Sequence, residues 1–132
     1  MMEDNRDSLC LIDVLIVEET LIDQKILARY LAEYDISYAI ASDLPSAMHA
    51  FKSNRFKLLL LGIELFEMKG LELVALLRNN LSINIPIVAI TAHEIDDIKE
   101  QCFKTGMNAC FSKPIAKVDL VGILTQFLPI EN

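Results

Sequence analysis

Lys57-Leu58-Leu59-Leu60-Leu61-Gly62-Ile63-Glu64 carries four consecutive leucines closed by a glycine. Apolar residues at successive positions leave no polar face. A strand built from them is covered on both sides, as in a parallel sheet, rather than wetted on one side as in a hairpin. Two other runs have the same character: Asp13-Val14-Leu15-Ile16-Val17, and Ile85 to Ile90 with Pro86 near its start. Weaker strand signals lie at Ile36 to Ala41 and at Ala109 to Ser112.

The segments between these runs have helical spacing. Ile22, Ile26 and Tyr30, with Leu27, Leu31 and Tyr34, form one stripe. Leu44, Met48 and Phe51 form a second, with Asp43 as its N-cap and Pro45 in its first turn. Leu71, Val74 and Leu77 mark a third; Ile95, Ile98 and Cys102 mark a fourth, closed by Gly106. Leu120, Leu124, Phe127 and Leu128 mark a fifth, stopped by Pro129. Five strands alternating with five helices predict an α/β domain with a doubly wound five-stranded parallel sheet. The expected boundaries are a flexible tail over 1–11, one domain over 12–129 and a short tail over 130–132.

The chain has 132 residues, room for one ordinary domain and not two. With 53% apolar and 23% charged residues it is a packed globule rather than a disordered chain. A net charge of −7 with 12 scattered basic residues argues against nucleic acid, which needs clustered Lys and Arg. Cys10, Cys102 and Cys110 are an odd number without metal-like spacing and read as reduced thiols. No apolar run reaches the ~20 residues of a membrane span. The start, Met1 to Ser8, lacks the pattern of a signal peptide, so the expected location is the cytoplasm.

Open α/β sheets work at the carboxyl ends of their strands. Glu18-Glu19 follows the first run, Gly62 and Glu64 the third, Thr91-Ala92-His93 the fourth and Lys113-Pro114 the fifth. An acidic pair, a Thr-Ala and a Lys-Pro in that order resemble the receiver (response-regulator) family of two-component signalling. Thr20-Leu21-Ile22-Asp23-Gln24-Lys25 and Phe111-Ser112-Lys113-Pro114-Ile115 resemble receivers attached to hybrid sensor kinases. The resemblance runs from about Asp13 to Leu128. It implies a flavodoxin-like fold with strand order 2-1-3-4-5.

It also implies a role for each matching position. Glu18 and Glu19 stand where the family's acidic pair holds Mg²⁺, although glutamate is a methylene longer than the more usual aspartate; otherwise they are two solvated acids. Gly62 stands where the family has the aspartate that accepts a phosphoryl group, and glycine offers no oxygen for one. As structure alone, Gly62 reads as a strand-end residue allowing a bulge or a close approach. Lys113 matches the phosphate-binding lysine. Without its usual partner aspartate, it is expected to pair with Glu19, Glu18 or Glu64 rather than stand as a surface lysine. Thr91 matches the switch hydroxyl, and Cys110 occupies the position of the switch aromatic, beside Phe111. Phe66 replaces the proline usual in the loop after the third strand. His93 reads as a solvated loop residue or a partner of Glu64, and His49 has no partner in reach of the sequence.

The function expected is a binding module without enzymatic activity or cofactor, a receiver that works by protein contact independently of phosphorylation. Its expected partners are a histidine kinase, a phosphotransfer protein or another receiver. The face formed by the fourth helix, fifth strand and fifth helix, with Ile95, Ile98, Phe103, Met107, Phe111 and Val118, is a candidate for homodimers, and the first helix for kinase or phosphotransfer partners. Two alternatives stand beside this reading: a receiver phosphorylated at Thr91 or Glu64, and a small-ligand sensor using the space beside Gly62.

Overall fold

The computed structural model describes residues 9–63, 69–92 and 94–128. Five strands form one sheet: β1 (Cys10–Val17), β2 (Tyr38–Ala41), β3 (Asn54–Ile63), β4 (Ile87–Thr91) and β5 (Ala109–Ser112). All neighbours are parallel and the order is β2-β1-β3-β4-β5, as expected. The helices are α1 (Leu21–Glu33), α2 (Leu44–Ser53), α3 (Lys69–Ala75), α4 (Ile95–Thr105) and α5 (Lys117–Phe127); α3 runs on into a π-helical turn, Leu76–Asn80.

The leucine run explains the layering. Leu59 and Leu61 belong to a core shared with Ala47 and Phe51 of α2, Leu73 and Val74 of α3, and Ile98 and Cys102 of α4. Leu58 and Leu60 point the other way, into a core shared with Leu27 and Leu31 of α1 and Leu120, Ile123 and Leu124 of α5. Successive side chains on a strand face opposite sides, so a sheet with helices on both faces requires an unbroken apolar run. Leu15 and Val17 against Val14 and Ile16 on β1 repeat the division.

Helix ends follow local chemistry. Asp43 caps α2 by accepting from Ser46 N at 2.9 Å, and the Ser46 hydroxyl accepts in return from Asp43 N at 3.2 Å. Gly106 ends α4 at φ +119°, a left-handed conformation that favours glycine. Arg78 in the π-helical turn donates to Gly106 O through Nε (3.1 Å) and to Ile83 O (2.9 Å), tying that turn to the end of α4.

Several expectations change. β1 begins at Cys10, so Cys10 and Leu11 belong to the sheet and not to the expected tail; Cys10 and Leu11 pair with Asn54 and Arg55 of a β3 that also starts early. The stripe expected on α1 splits. Gln24, Leu27 and Leu31 face the sheet, while Ile22 is 74% and Ile26 37% exposed. Gln24 is satisfied there: its Nε2 donates to Glu18 O at 2.6 Å and to Ser42 Oγ at 3.1 Å. Ile98 and Met107, proposed for an outer face, are core residues. Among the described residues no helix is long and apolar enough to cross a membrane.

Candidate functional site

The carboxyl edge of the sheet brings together four of the expected residues, Glu18, Gly62, Thr91 and Lys113. Val17 of β1 pairs with Leu61 of β3, so Glu18 and Gly62 emerge side by side. Lys113 follows β5, and its N–H donates to Thr91 O at 2.7 Å, which fixes the start of the next loop against β4. The Lys113–Pro114 peptide is cis.

Glu18 is buried, its side chain 2% exposed, and its carboxylate turns across the sheet edge to Lys113. Lys113 Nζ lies 2.8 Å from Glu18 Oε2 and 3.0 Å from Asp23 Oδ2. The other oxygen of Glu18 accepts from Thr20 N at 3.3 Å. Asp23 in turn accepts from the Thr20 hydroxyl at 2.8 Å. Thr20 is the N-cap of α1, so helix start, strand end and the loop after β5 meet in one ion-pair cluster.

Glu18 also occupies the space next to Gly62. A Cβ placed on Gly62 would overlap Glu18 Oε2 and lie 2.8 Å from Glu18 Cδ. Glycine at 62 therefore permits a close approach, as one of its two sequence readings held. The space beside it is filled by the glutamate from the neighbouring strand. A cleft of about 20 Å³, room for about one water, is bordered by Glu18, Asp23, Ile26, Lys113 and Pro114.

Charge follows this geometry. Burial pushes the Lys113 ammonium down, but hydrogen bonds and charges from Glu18 and Asp23 outweigh it and hold Lys113 above its ordinary 10.5. Burial raises the Asp23 carboxyl, yet the hydrogen bonds from Lys113 and Thr20 prevail and keep it below 3.8. The linkage signs are opposite. Stability from Asp23 is full above 3.8 and is lost as pH falls through its lowered value. Stability from Lys113 is full below 10.5 and is lost as pH rises through its raised value. Urea midpoints measured against pH are expected to show both losses, and Lys113→Met to abolish the alkaline one and shrink the acid one.

Of the three partners expected for Lys113, Glu18 is the one found. Glu19 is exposed, and Glu64 lies outside the described residues, as do Phe66 and His93. Asp23 was not foreseen as a partner. Its signal was its place one turn into α1, just after the Thr20 cap, where its side chain can reach back over the sheet edge. The described residues do not fit a divalent cation. Glu18 is committed to Lys113 and Gly62 has no oxygen to offer, and among the described residues no three His, Cys, Asp or Glu side chains gather. Thr91 is fully buried at the end of β4. Cys110 is half-buried on β5; burial and the neighbouring Cys102 push its thiol up to about 12.

The comparisons with known proteins converge. The chain is 28% identical over 117 residues to the sensor histidine kinase RcsC of Salmonella typhimurium, covering 89% of this chain and 12% of that one. It thus spans about an eighth of the length of that curated relative. The receiver domain of the response regulator Ssk1 of Saccharomyces cerevisiae, solved with the histidine phosphotransfer protein Ypd1, superimposes with a TM-score of 0.78 at 27% identity, over 90% of each chain. The receiver domain of the sensor histidine kinase PA1611 of Pseudomonas aeruginosa, solved with magnesium in its active-site cleft, gives 0.76 at 22% identity, over 88% of this chain and 96% of that one. The family model for the response regulator receiver domain matches residues 14–125. The chain belongs to the response regulator receiver domain family of two-component signalling.

Proposed function

We infer that this receiver carries no phosphoryl group and acts by protein contact alone. Gly62 takes the position of the family's acceptor aspartate and supplies no nucleophile. The observation that carries this reading is the Glu18–Lys113 pair at 2.8 Å. Phosphoryl transfer to an acceptor needs an oxygen nucleophile in line, with metal and lysine neutralising the charge. Here the lysine is already neutralised by a carboxylate inside the protein. Thr91 as an alternative acceptor is disfavoured by its complete burial.

The contact surface favoured is the outer side of α1. Leu21 is 62% and Ile22 74% exposed, and Val118 at the start of α5, on the same side of the sheet, is 75% exposed. Lys117 of α5 pairs with Glu33 of α1 at 2.9 Å, and the two helices share one buried core. On the face of α4, β5 and α5, Ile98 and Met107 are buried, and among the described residues of α4 Phe103 is exposed. Ypd1 bound to the similar Ssk1 receiver suggests the class of partner, a histidine phosphotransfer protein. Titration calorimetry against a panel of phosphotransfer domains tests this. Binding is expected to be unchanged by acetyl phosphate with Mg²⁺, and Ile22→Glu with Ile26→Glu is expected to weaken it about tenfold or more. Binding that depends on acetyl phosphate, or that ignores both substitutions, contradicts the reading.

A further inference from the structure

We propose that Arg78 is a clamp that fixes the end of α4 and the start of β5 in one position, at the edge of the sheet opposite Glu18 and Lys113. The guanidinium gathers separate pieces of chain. Its Nε and Nη2 donate to Gly106 O at 3.1 and 2.9 Å. Nη1 donates to Ile83 O at 2.9 Å, and Nη2 also to Asn108 Oδ1 at 3.2 Å. Asn108 passes the hold on to β4. Its Oδ1 accepts from Ile87 N at 2.9 Å, and its N–H donates to Ile87 O at 2.7 Å. Gly106, the left-handed cap of α4, lies against the stem of the same arginine: a Cβ there would sit 3.1 Å from Arg78 Cγ.

The local backbone places the arginine. Leu77 is fully buried and anchors the π-helical turn in the core one residue before Arg78. Leu81 N donates to Leu76 O, five residues back. Ser82 follows at φ +54°, and this left-handed step turns the chain so that Ile83 O comes within reach of Arg78. The acceptors are neutral carbonyls rather than carboxylates, so burial is unopposed and pushes the guanidinium below its ordinary 12.5. A planar guanidinium reaches all three acceptor residues at once, whereas a lysine ammonium is a point and cannot. At its other end α4 starts at Glu94, which makes no side-chain cap bond, so the polar hold on this helix sits at Gly106. The inference stands apart from the question of phosphate. These residues lie at the amino ends of β4 and β5, and the Glu18–Lys113 pair lies at the carboxyl edge.

Hydrogen exchange resolved by residue tests the clamp. In Arg78→Met the amides of Gly106, Met107 and Asn108 are expected to exchange about tenfold faster or more, with those of Leu27 and Leu31 in α1 unchanged. Arg78→Lys is expected to behave like Arg78→Met. Asn108→Ala, a milder change that leaves Arg78 its bonds to Gly106 and Ile83, is expected to speed the same region by a smaller factor and to spare α1. Protection kept in Arg78→Met, or restored in Arg78→Lys, overturns the proposal. Acceleration spread equally over α1 and α4 makes the arginine a general stabiliser and overturns it too, as does an unaltered pattern in Asn108→Ala.

Discussion

Lys113→Met is expected to unfold at a much lower urea concentration than the parent, a loss of about 3–5 kcal/mol. The size follows from what the lysine leaves behind. Glu18 has a side chain 2% exposed and Asp23 one 31% exposed, and both face the same ammonium. Removing that ammonium strands a buried carboxylate beside a second one, with little water to replace it. The pair itself contributes far less than this loss, because bringing both charges out of water offsets most of their attraction. Glu18→Gln combined with Lys113→Met should accordingly recover much of the stability that Lys113→Met alone removes, and equal losses in the single and double variants would speak against the cluster. Both variants are compared at neutral pH, between the two limbs set by Asp23 and Lys113.

Leu59→Ala and Leu60→Ala are each expected to cost about 3 kcal/mol, although the two residues are adjacent and face opposite sides of the sheet. Leu59 is fully buried under α2, α3 and α4, and Leu60 is fully buried under α1 and α5. In a sheet wetted on one face, one of the two would be nearly neutral. Leu81, 38% exposed after the π-helical turn, serves as the control, with a change within about 0.5 kcal/mol on substitution by alanine. Chemical denaturation of the three variants with equal m-values checks it.

Much of the fold could be read before any coordinates. Four leucines in succession required cover on both faces, the alternation of five strands with five helices followed from the pattern, and the strand order from the resemblance to receivers. Element limits were less legible. Cys10 and Asn54 extend β1 and β3 toward the amino end because each strand supplies the other with hydrogen-bond partners, a tertiary cause that no local pattern carries. The rotation of α1 was hidden for a related reason. Leu27 and Leu31 take the sheet-facing side together with Gln24, whose side chain is satisfied by the Glu18 carbonyl and Ser42, and Ile22 and Ile26 are left outward.

The site was legible as a list of residues and not as an arrangement. Glu18, Gly62 and Lys113 could be named from their places after strands. That Glu18 crosses to fill the space beside Gly62 depends on side-chain length, strand register and the position of Lys113 together. Asp23 escaped notice because its role arises from the cap of α1 meeting a loop 90 residues away. The same cluster commits Glu18, one of the two acids expected to hold a cation, to Lys113.

The central claim is most directly tested by incubating the parent protein with acetyl phosphate and Mg²⁺ and weighing the intact chain. The account predicts that the parent mass stays unchanged throughout the time course. A phosphate adduct on the parent chain, on any residue at this edge of the sheet, contradicts it.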